Sequence, residues 1–336
     1  MHAGRAPALR AASRWLCVAG RDDIDGAPLH SNAMSSTPVE ATPADVAAVI
    51  VSYHPDVQAL SRLVDVLAAQ TGAVVLVDNN SPRLPALPAS VQLIRLPQNL
   101  GVAAAQNRGL EAATRAGARF ALLLDQDSVP SADMTTQLLA TWHAATAQGL
   151  RVGAVGPRIV DPLGRSEGFV SFNRGRYEAQ PVDESCAWMR CDLLIASGTL
   201  LPLDVLAQVG PMAEPLFIDK VDTEWSLRAA HQGYVLLGAP RALLHHRLGL
   251  RERRLWFFGW RLLAQHAPFR YYYMVRNGLL LRRLPHAHAA WRRADARQLA
   301  SLVLYFGLLA PGRWAALRMM ARGVADALRH RAGPLR

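Results

Sequence analysis

The 336-residue sequence first combines residue type and spacing into chemistry at Asp125-Gln126-Asp127. The triplet follows Ala121-Leu122-Leu123-Leu124, a run with no polar side chain. Two carboxylates leaving such a run together repel, and each is costly to bury without a counter-charge. A hard divalent cation resolves the conflict, because Mg2+ or Mn2+ takes one or two carboxylates and completes its shell with phosphate oxygens. The plainer alternative is a solvated loop in which Asp127 or Ser128 caps a helix. A second acidic group, Asp219, Asp222 and Glu224, follows the apolar Leu216-Phe217-Ile218. Asp222 is placed to open a helix, where the dipole favours a carboxylate. It is the candidate base for removing a proton from an acceptor hydroxyl; otherwise it is simply a cap. His245-His246 ends a third apolar stretch, and a neutral imidazole there is either a metal ligand or structural.

The elements that must position these groups are visible as hydrophobic patterns. Residues 46–53 read as a buried parallel strand and its turn, and 57–70 as a helix with one apolar face. Strands follow at 74–77, 91–96 and 120–124, with an alanine-rich helix at 102–115 before the last of them. This alternation predicts an α/β fold, a mostly parallel sheet with helices on both faces. Such sheets bind ligands beyond the carboxyl ends of their strands. Ser52-Tyr53, Asp78-Asn79 and Asp125-Gln126-Asp127 all fall there, although they are far apart in sequence. Further on, 152–155, 193–201 and 235–237 read as strands and 222–232 as a helix.

The net charge of +11 is concentrated at one end. Residues 241–336 hold 19 Arg against 3 acids, so the remainder is net acidic. A basic balance alone suggests nucleic acid. Here it coincides with an apolar, aromatic-rich segment, Leu255 to Trp260, and no helix-turn-helix or RNA-binding signature accompanies it. An anionic membrane surface is the better partner, and nucleic acid is not expected. The stretch from Leu299 is interrupted at Pro311 before it is long enough to span a bilayer. Three domains are expected: a disordered leader over 1–43, with the true start at Met1 or Met34, a catalytic domain over 44–250, and a basic helical region over 251–336. Cys17, Cys186 and Cys191 are too few and too irregular for a disulfide framework, and Cys186 and Cys191 read as ordinary thiols in a reducing cytosol.

In this order, the clusters resemble those of the inverting family 2 glycosyltransferases of the GT-A fold, from about Val46 to Leu284. Asp78-Asn79-Asn80-Ser81 looks like the family's nucleotide-base motif. Asn99-Leu100-Gly101 with Asn107-Arg108-Gly109 is similar to its N-x-G…N-x-G helix start, and Asp125-Gln126-Asp127 to its D-x-D. Asp222 stands at the E-D base, although Val221 replaces the preceding acid, and His246-Arg247-Leu248-Gly249 is similar to its H-x-x-G metal segment. Stretches such as Phe217-Ile218-Asp219 and Tyr272-Tyr273 with Arg276-Asn277-Gly278 look like the bacterial rhamnosyltransferases, most of all those adding the second rhamnose of a rhamnolipid. The resemblance implies a nucleotide-sugar-binding, Rossmann-like GT-A domain that uses Mg2+ or Mn2+ on Asp127 and His246. It implies donor contacts from Ser52, Tyr53, Asp78, Asn107 and Asp125, and Asp222 as catalytic base. It also implies transfer of L-rhamnose from dTDP-L-rhamnose to a glycolipid, on the cytoplasmic face of the inner membrane as a peripheral protein. The competing readings are a rhamnosyltransferase of O-antigen or another lipid-linked polysaccharide, and a non-catalytic nucleotide-sugar-binding or scaffold protein.

Overall fold

Strand β1 (Val46–Ser52) lies between β2 (Ala73–Asp78) and β4 (Phe120–Asp125), parallel to both. Val46 to Ile50 are essentially inaccessible on both faces, so the strand reads as a continuous apolar run without alternation. The computed structural model describes residues 40–161, 166, 168–245, 251–256, 260–308, 310 and 313–335, with backbone alone for 251–256 and 260–265. Helix α1 (Val57–Ala68) joins β1 to β2, β3 (Val91–Arg95) extends that edge, and α2 (Val102–Arg115) leads to β4. Next come β5 (Val129–Pro130), α3 (Met134–Thr146), β6 (Val152–Val160), a hairpin of β7 (Phe169–Asn173) with β8 (Arg176–Gln180), and β9 (Met189–Cys191). The series continues with β10 (Leu200–Pro202), α4 (Leu203–Val209), α5 (Val221–His231) and β11 (Val235–His245). The main sheet has the order β3-β2-β1-β4-β10-β6-β11-β5, with β9 also on β11. Strands β3 to β4 are parallel, as are β6 and β11, while β10 runs antiparallel between the two groups.

Alternate residues of β1 belong to different cores. Ala48 and Ile50 pack with Leu60, Leu63 and Leu67 of α1 and Leu138 of α3. Ala47 and Val49 pack with Ala105 and Leu110 of α2 and Trp225 of α5. Helix α2 approaches the sheet so closely that a Cβ on Gly109 would lie 2.2 Å from Val49 Cγ1. Alanine would gain about 1 kcal/mol of helix propensity there, but that overlap forces helix and strand apart. Gly109→Ala is therefore expected to destabilise the protein by about 1–3 kcal/mol. Chemical denaturation reads the loss, and Val49→Ala in the same chain is expected to recover part of it.

The structure departs from the sequence expectations in several places. Of 193–201 only Leu200 and Leu201 lie in a strand, Leu200–Pro202. Residues after 250 do not begin as helix: β12 (Arg251–Trp256) and β13 (Trp260–Gln265) form an antiparallel hairpin. Short apolar-aromatic runs carry too little periodicity to separate strand from helix. Helices α6 (Pro268–Leu281), α7 (Ala289–Leu308) and α8 (Arg313–Leu328) then enclose a third core with Tyr271, Val275, Leu299, Phe306 and Met320. Residues 1–39 of the expected leader, with Met34, lie outside the described residues. Residues 40–43 are ordered: Ala41 is buried and its carbonyl contacts His143 Nε2 at 2.9 Å. Cys191 is a free, buried thiol. Among the described residues no helix is long and apolar enough to cross a membrane.

Candidate active site

Ser52, Asp78 and Asp125 end β1, β2 and β4, and the parallel register sets them side by side: Ser52 opposite Asp78, and Val51 opposite Asp125. Asp78 is fully buried. Its Oδ1 accepts from Ser52 Oγ at 2.9 Å and Ser81 Oγ at 2.5 Å, and its Oδ2 from the Ser81 N–H at 2.8 Å. Arg95 lies 3.7 Å away. Asp78 thus shapes the turn after β2 from within. Tyr53, 46% exposed, presents its ring outward beside His54.

The middle residue of the D-x-D triplet has a role that the sequence reading missed. Gln126 Oε1 accepts from the Tyr53 N–H at 2.6 Å, and its Nε2 donates to the Tyr53 carbonyl at 3.2 Å. This reciprocal amide pair fixes the end of β4 to the end of β1. The triplet is closed as a turn by the Ser128 N–H on the Asp125 carbonyl, 3.2 Å. Asp125 is half-buried and Asp127 exposed. From there β5 pairs with the end of β11, Val129 opposite His245, so the strand leading to His246 finishes two residues beyond Asp127. His246 itself lies outside the described residues.

Asp222, in the first turn of α5, lies beside the 194–197 segment and lines one small cavity with Leu194, Ala196 and Trp225. Its carboxylate accepts from the Thr223 N–H at 2.7 Å. The neighbouring Ser197 Oγ accepts from the Asp125 N–H at 3.3 Å and bonds Ser128 Oγ at 2.5 Å. The Ala196-Ser197 dipeptide therefore lies against the candidate base on one side and is bonded to the D-x-D turn on the other. Burial beside Leu194, Ile195 and Trp225 pushes the Asp222 carboxyl above its usual range, and Asp219 adds to this. The Thr223 N–H and the Lys220 charge oppose it. Glu224 is not available for chemistry, being buried and paired with Arg228 at 2.9 Å and His286 at 3.0 Å.

The loop before α5 is strained. Phe217 has φ 67° and ψ −64°, with the Ile218 N–H on the Leu216 carbonyl at 2.8 Å, which is the rare γ-turn form. Asp219 and Lys220 also have positive φ, 63° and 65°. Each such residue costs on the order of 1–3 kcal/mol. Helix α6 supplies the compensation. Asn277 Nδ2 donates to the carbonyls of Leu216, Ile218 and Asp219 at 3.0, 2.8 and 2.8 Å. Arg276 donates to the Leu216 carbonyl at 2.9 Å, and Tyr273 stacks on Phe217. Arg276 and Asn277 are fully buried. The Phe217 carbonyl then accepts the Val102 N–H at 2.8 Å, beside Gly101 at φ 88°, where a Cβ would meet that carbonyl at 2.5 Å.

Two other placements alter the expected division of roles. Asn107 is buried with its amide fully engaged, donating to the Met212 carbonyl and Glu214 and accepting from the Met212 N–H. It braces α2 against the 212–214 segment. Arg270, which sequence reasoning did not single out, forms an ion pair with Asp219. Burial opposes its charge, yet Asp219 and then Asp125 and Asp222 hold the guanidinium above its ordinary range, so one cation faces all three carboxylates. Among the described residues no cluster of three His, Cys, Asp or Glu is arranged to hold a metal. Carboxylate oxygens on Asp125 and Asp127 are nonetheless a hard donor set, suited to a cation that shares its shell with phosphate.

The glycosyl transferase family 2 profile matches residues 48–195. The chain is 32% identical over 250 residues, 72% of its length and 81% of the relative's, to the dTDP-rhamnosyl transferase RfbF of Shigella flexneri. Among solved structures it is similar to S. aureus TarS 1-349 in complex with UDP-GlcNAc, with a TM-score of 0.53 and 13% identity over 84% of this chain and 80% of that one. It is also similar to GalNAc-T7 with UDP, GalNAc and Mn2+, with a TM-score of 0.50 and 14% identity over 85% of this chain and 57% of that one, so it spans little more than half of that protein. These likenesses establish the fold, a GT-A-like mixed sheet flanked by helices.

Proposed function

This chain belongs to the family 2 glycosyl transferases, and on that premise we propose that it transfers L-rhamnose from dTDP-L-rhamnose to a lipid-borne sugar acceptor. The observation that carries this reading is the 194–197 segment, which bonds the Asp125 N–H and Ser128 through Ser197 and lines one cavity with the candidate base Asp222. The 32% relative, named for its donor and sugar, supports rhamnose.

In this reading Tyr53 and the turn braced by Ser52 and Asp78 receive the base, Asp125 faces the ribose, and Asn107 positions α2. Asp127 and His246 would hold a divalent metal, which when bound supplies positive charge to the departing diphosphate. Asp222 takes the proton of the acceptor hydroxyl. That oxygen bonds the anomeric carbon on the face opposite the leaving dTDP, the carbon–oxygen bond to phosphate breaks, and the configuration inverts. A positioned base of this kind contributes roughly 10²–10⁴ in rate.

The chain's overall resemblance to the rhamnolipid-forming transferases supports mono-rhamnolipid as acceptor, with the protein peripheral on the cytoplasmic face of the inner membrane. The Phe217-Ile218-Asp219 and Arg276-Asn277-Gly278 stretches support only a rhamnosyltransferase. A lipid-linked cell-surface saccharide is the second reading, favoured equally by a relative whose name specifies no acceptor. Purified protein with Mg2+ and dTDP-rhamnose, offered each acceptor in turn, is expected to add one deoxyhexose to only one of them by mass spectrometry. UDP-glucose or UDP-GlcNAc replacing dTDP-rhamnose as the better donor would overturn the rhamnose reading.

A further inference from the structure

Helix α8 packs on α6, and α7 packs on α6, α8 and, through Arg297, the β7–β8 hairpin. The C-terminal end of α7 and the start of α8 leave large apolar side chains exposed. On α7, Tyr305 and Phe306 are buried, whereas Val303, Leu304 and Leu308 are 49%, 56% and 65% exposed. At the start of α8, Trp314 is 74% exposed, with the Arg313 guanidinium 5.5 Å from its ring centre. Single exposed leucines are ordinary on any soluble protein. Three large aliphatic side chains and a tryptophan flanking one helix–helix connection form a patch of the sort that marks an interaction site.

The charge around the patch selects its occupant. Residues 268–335 contain twelve arginines and only two acids, Asp295 and Asp326. Both acids point inward, Asp295 onto Lys220 and Arg282 and Asp326 onto the Tyr272 hydroxyl. Arg318 and Arg322 are exposed along α8 and Arg329 just beyond its end, so the outer face presents guanidiniums around an apolar centre. A nucleic acid would answer the arginines and leave Leu304 and Leu308 facing water. A second copy would bring like charge against like charge.

We propose that this elbow docks on an anionic lipid bilayer, with Val303, Leu304, Leu308 and Trp314 at the acyl boundary and the α8 arginines at the phosphates. Tryptophan with arginine is the composition that such interfaces favour. The proposal builds on the lipid-borne acceptor above and moves the membrane contact from the 255–261 segment to the α7–α8 connection.

The test is flotation of the full-length protein with phosphatidylglycerol vesicles and with neutral phosphatidylcholine vesicles. Wild type is expected to float with the anionic vesicles and to release at high salt. L304S/L308S/W314S and R318E/R322E are each expected to weaken partition by roughly tenfold or more. Both should keep the wild-type melting curve and the wild-type rate on a water-soluble alkyl rhamnoside. Undiminished flotation of either variant overturns the proposal, as does loss of oligonucleotide binding or self-association in its place. Flotation without transfer to any lipid-borne acceptor removes the acceptor reading alone, and transfer to such an acceptor without flotation removes this surface alone.

Discussion

Asp222→Asn is expected to reduce transfer by at least roughly 10²–10⁴, the range attributed to a positioned base, while calorimetric affinity for dTDP-rhamnose with Mg2+ stays near wild type. The asparagine keeps an oxygen for the Thr223 N–H, so the geometry of the turn survives. Loss of donor binding in a folded variant would remove Asp222 from the base role. The same substitution should raise stability, with a definite pH dependence. Burial lifts the folded-state pKa of Asp222 above its unfolded value. The stability contributed by the protonated form is therefore present at low pH and lost as pH rises through the folded pKa. Asparagine does not titrate, so the melting temperature of the variant should exceed that of wild type near neutrality and converge with it in acid. In wild type the acid limb of kcat/KM is expected above the ordinary aspartate range of about 4, and a limb at or below that range would contradict the burial argument.

Asn277→Ala is expected to lower kcat by about 10² with little change in donor KM, because a displacement near 1 Å at a reacting group has effects of that size. Asn277 touches nothing in the donor edge. Its amide is the donor for three carbonyls of the strained 216–219 turn, three residues before the base. Leaving buried acceptors without a donor costs about 1–3 kcal/mol each, comparable to the strain of the turn, so relaxation of the turn is the cheaper outcome. Asn277→Asp keeps the shape and the bond from Arg276 but turns an acceptor toward those carbonyls, and should lose at least as much as Ala. Wild-type kcat in the alanine variant, measured at saturating donor, would show that α6 does not position Asp222.

Much of the donor edge was legible because strands buried on both faces print themselves as unbroken apolar runs. The ends of β1, β2 and β4 followed from where those runs stop at Ser52, Asp78 and Asp125. Helix α2 was placed to the residue, since alanine and a following Gly117 leave little ambiguity. What remained hidden depends on partners distant in sequence. Asn107 looked like a ligand contact, but Met212 and Glu214, more than a hundred positions away, use its amide. Nothing in the sequence marks Gln126 for a role; that appears only when the chain brings Tyr53 beside it. Arg276 and Asn277 carried a local signal only through the resemblance of their stretch, because a polar pair in a helix ordinarily faces solvent, and their acceptors lie some sixty residues earlier. The 193–199 segment read as strand because Leu193, Leu194 and Ile195 are apolar. Ser197 instead bonds the D-x-D turn, Ala196 lines the cavity beside Asp222, and Gly198 has φ 83°.

Arg276 also donates to the carbonyl of Gly333, whose N–H returns to the Pro215 carbonyl at 2.7 Å. The turn that seats Asp222 is thus sealed by residues translated long after it. A nascent chain that has cleared the ribosome through β11 already has the D-x-D triplet and Asp222, but neither Asn277 nor residue 333 to set the angle between them. Premature stops, C-terminal nicks and fusions that disturb residue 333 should behave as active-site lesions even though every carboxylate of the site is intact.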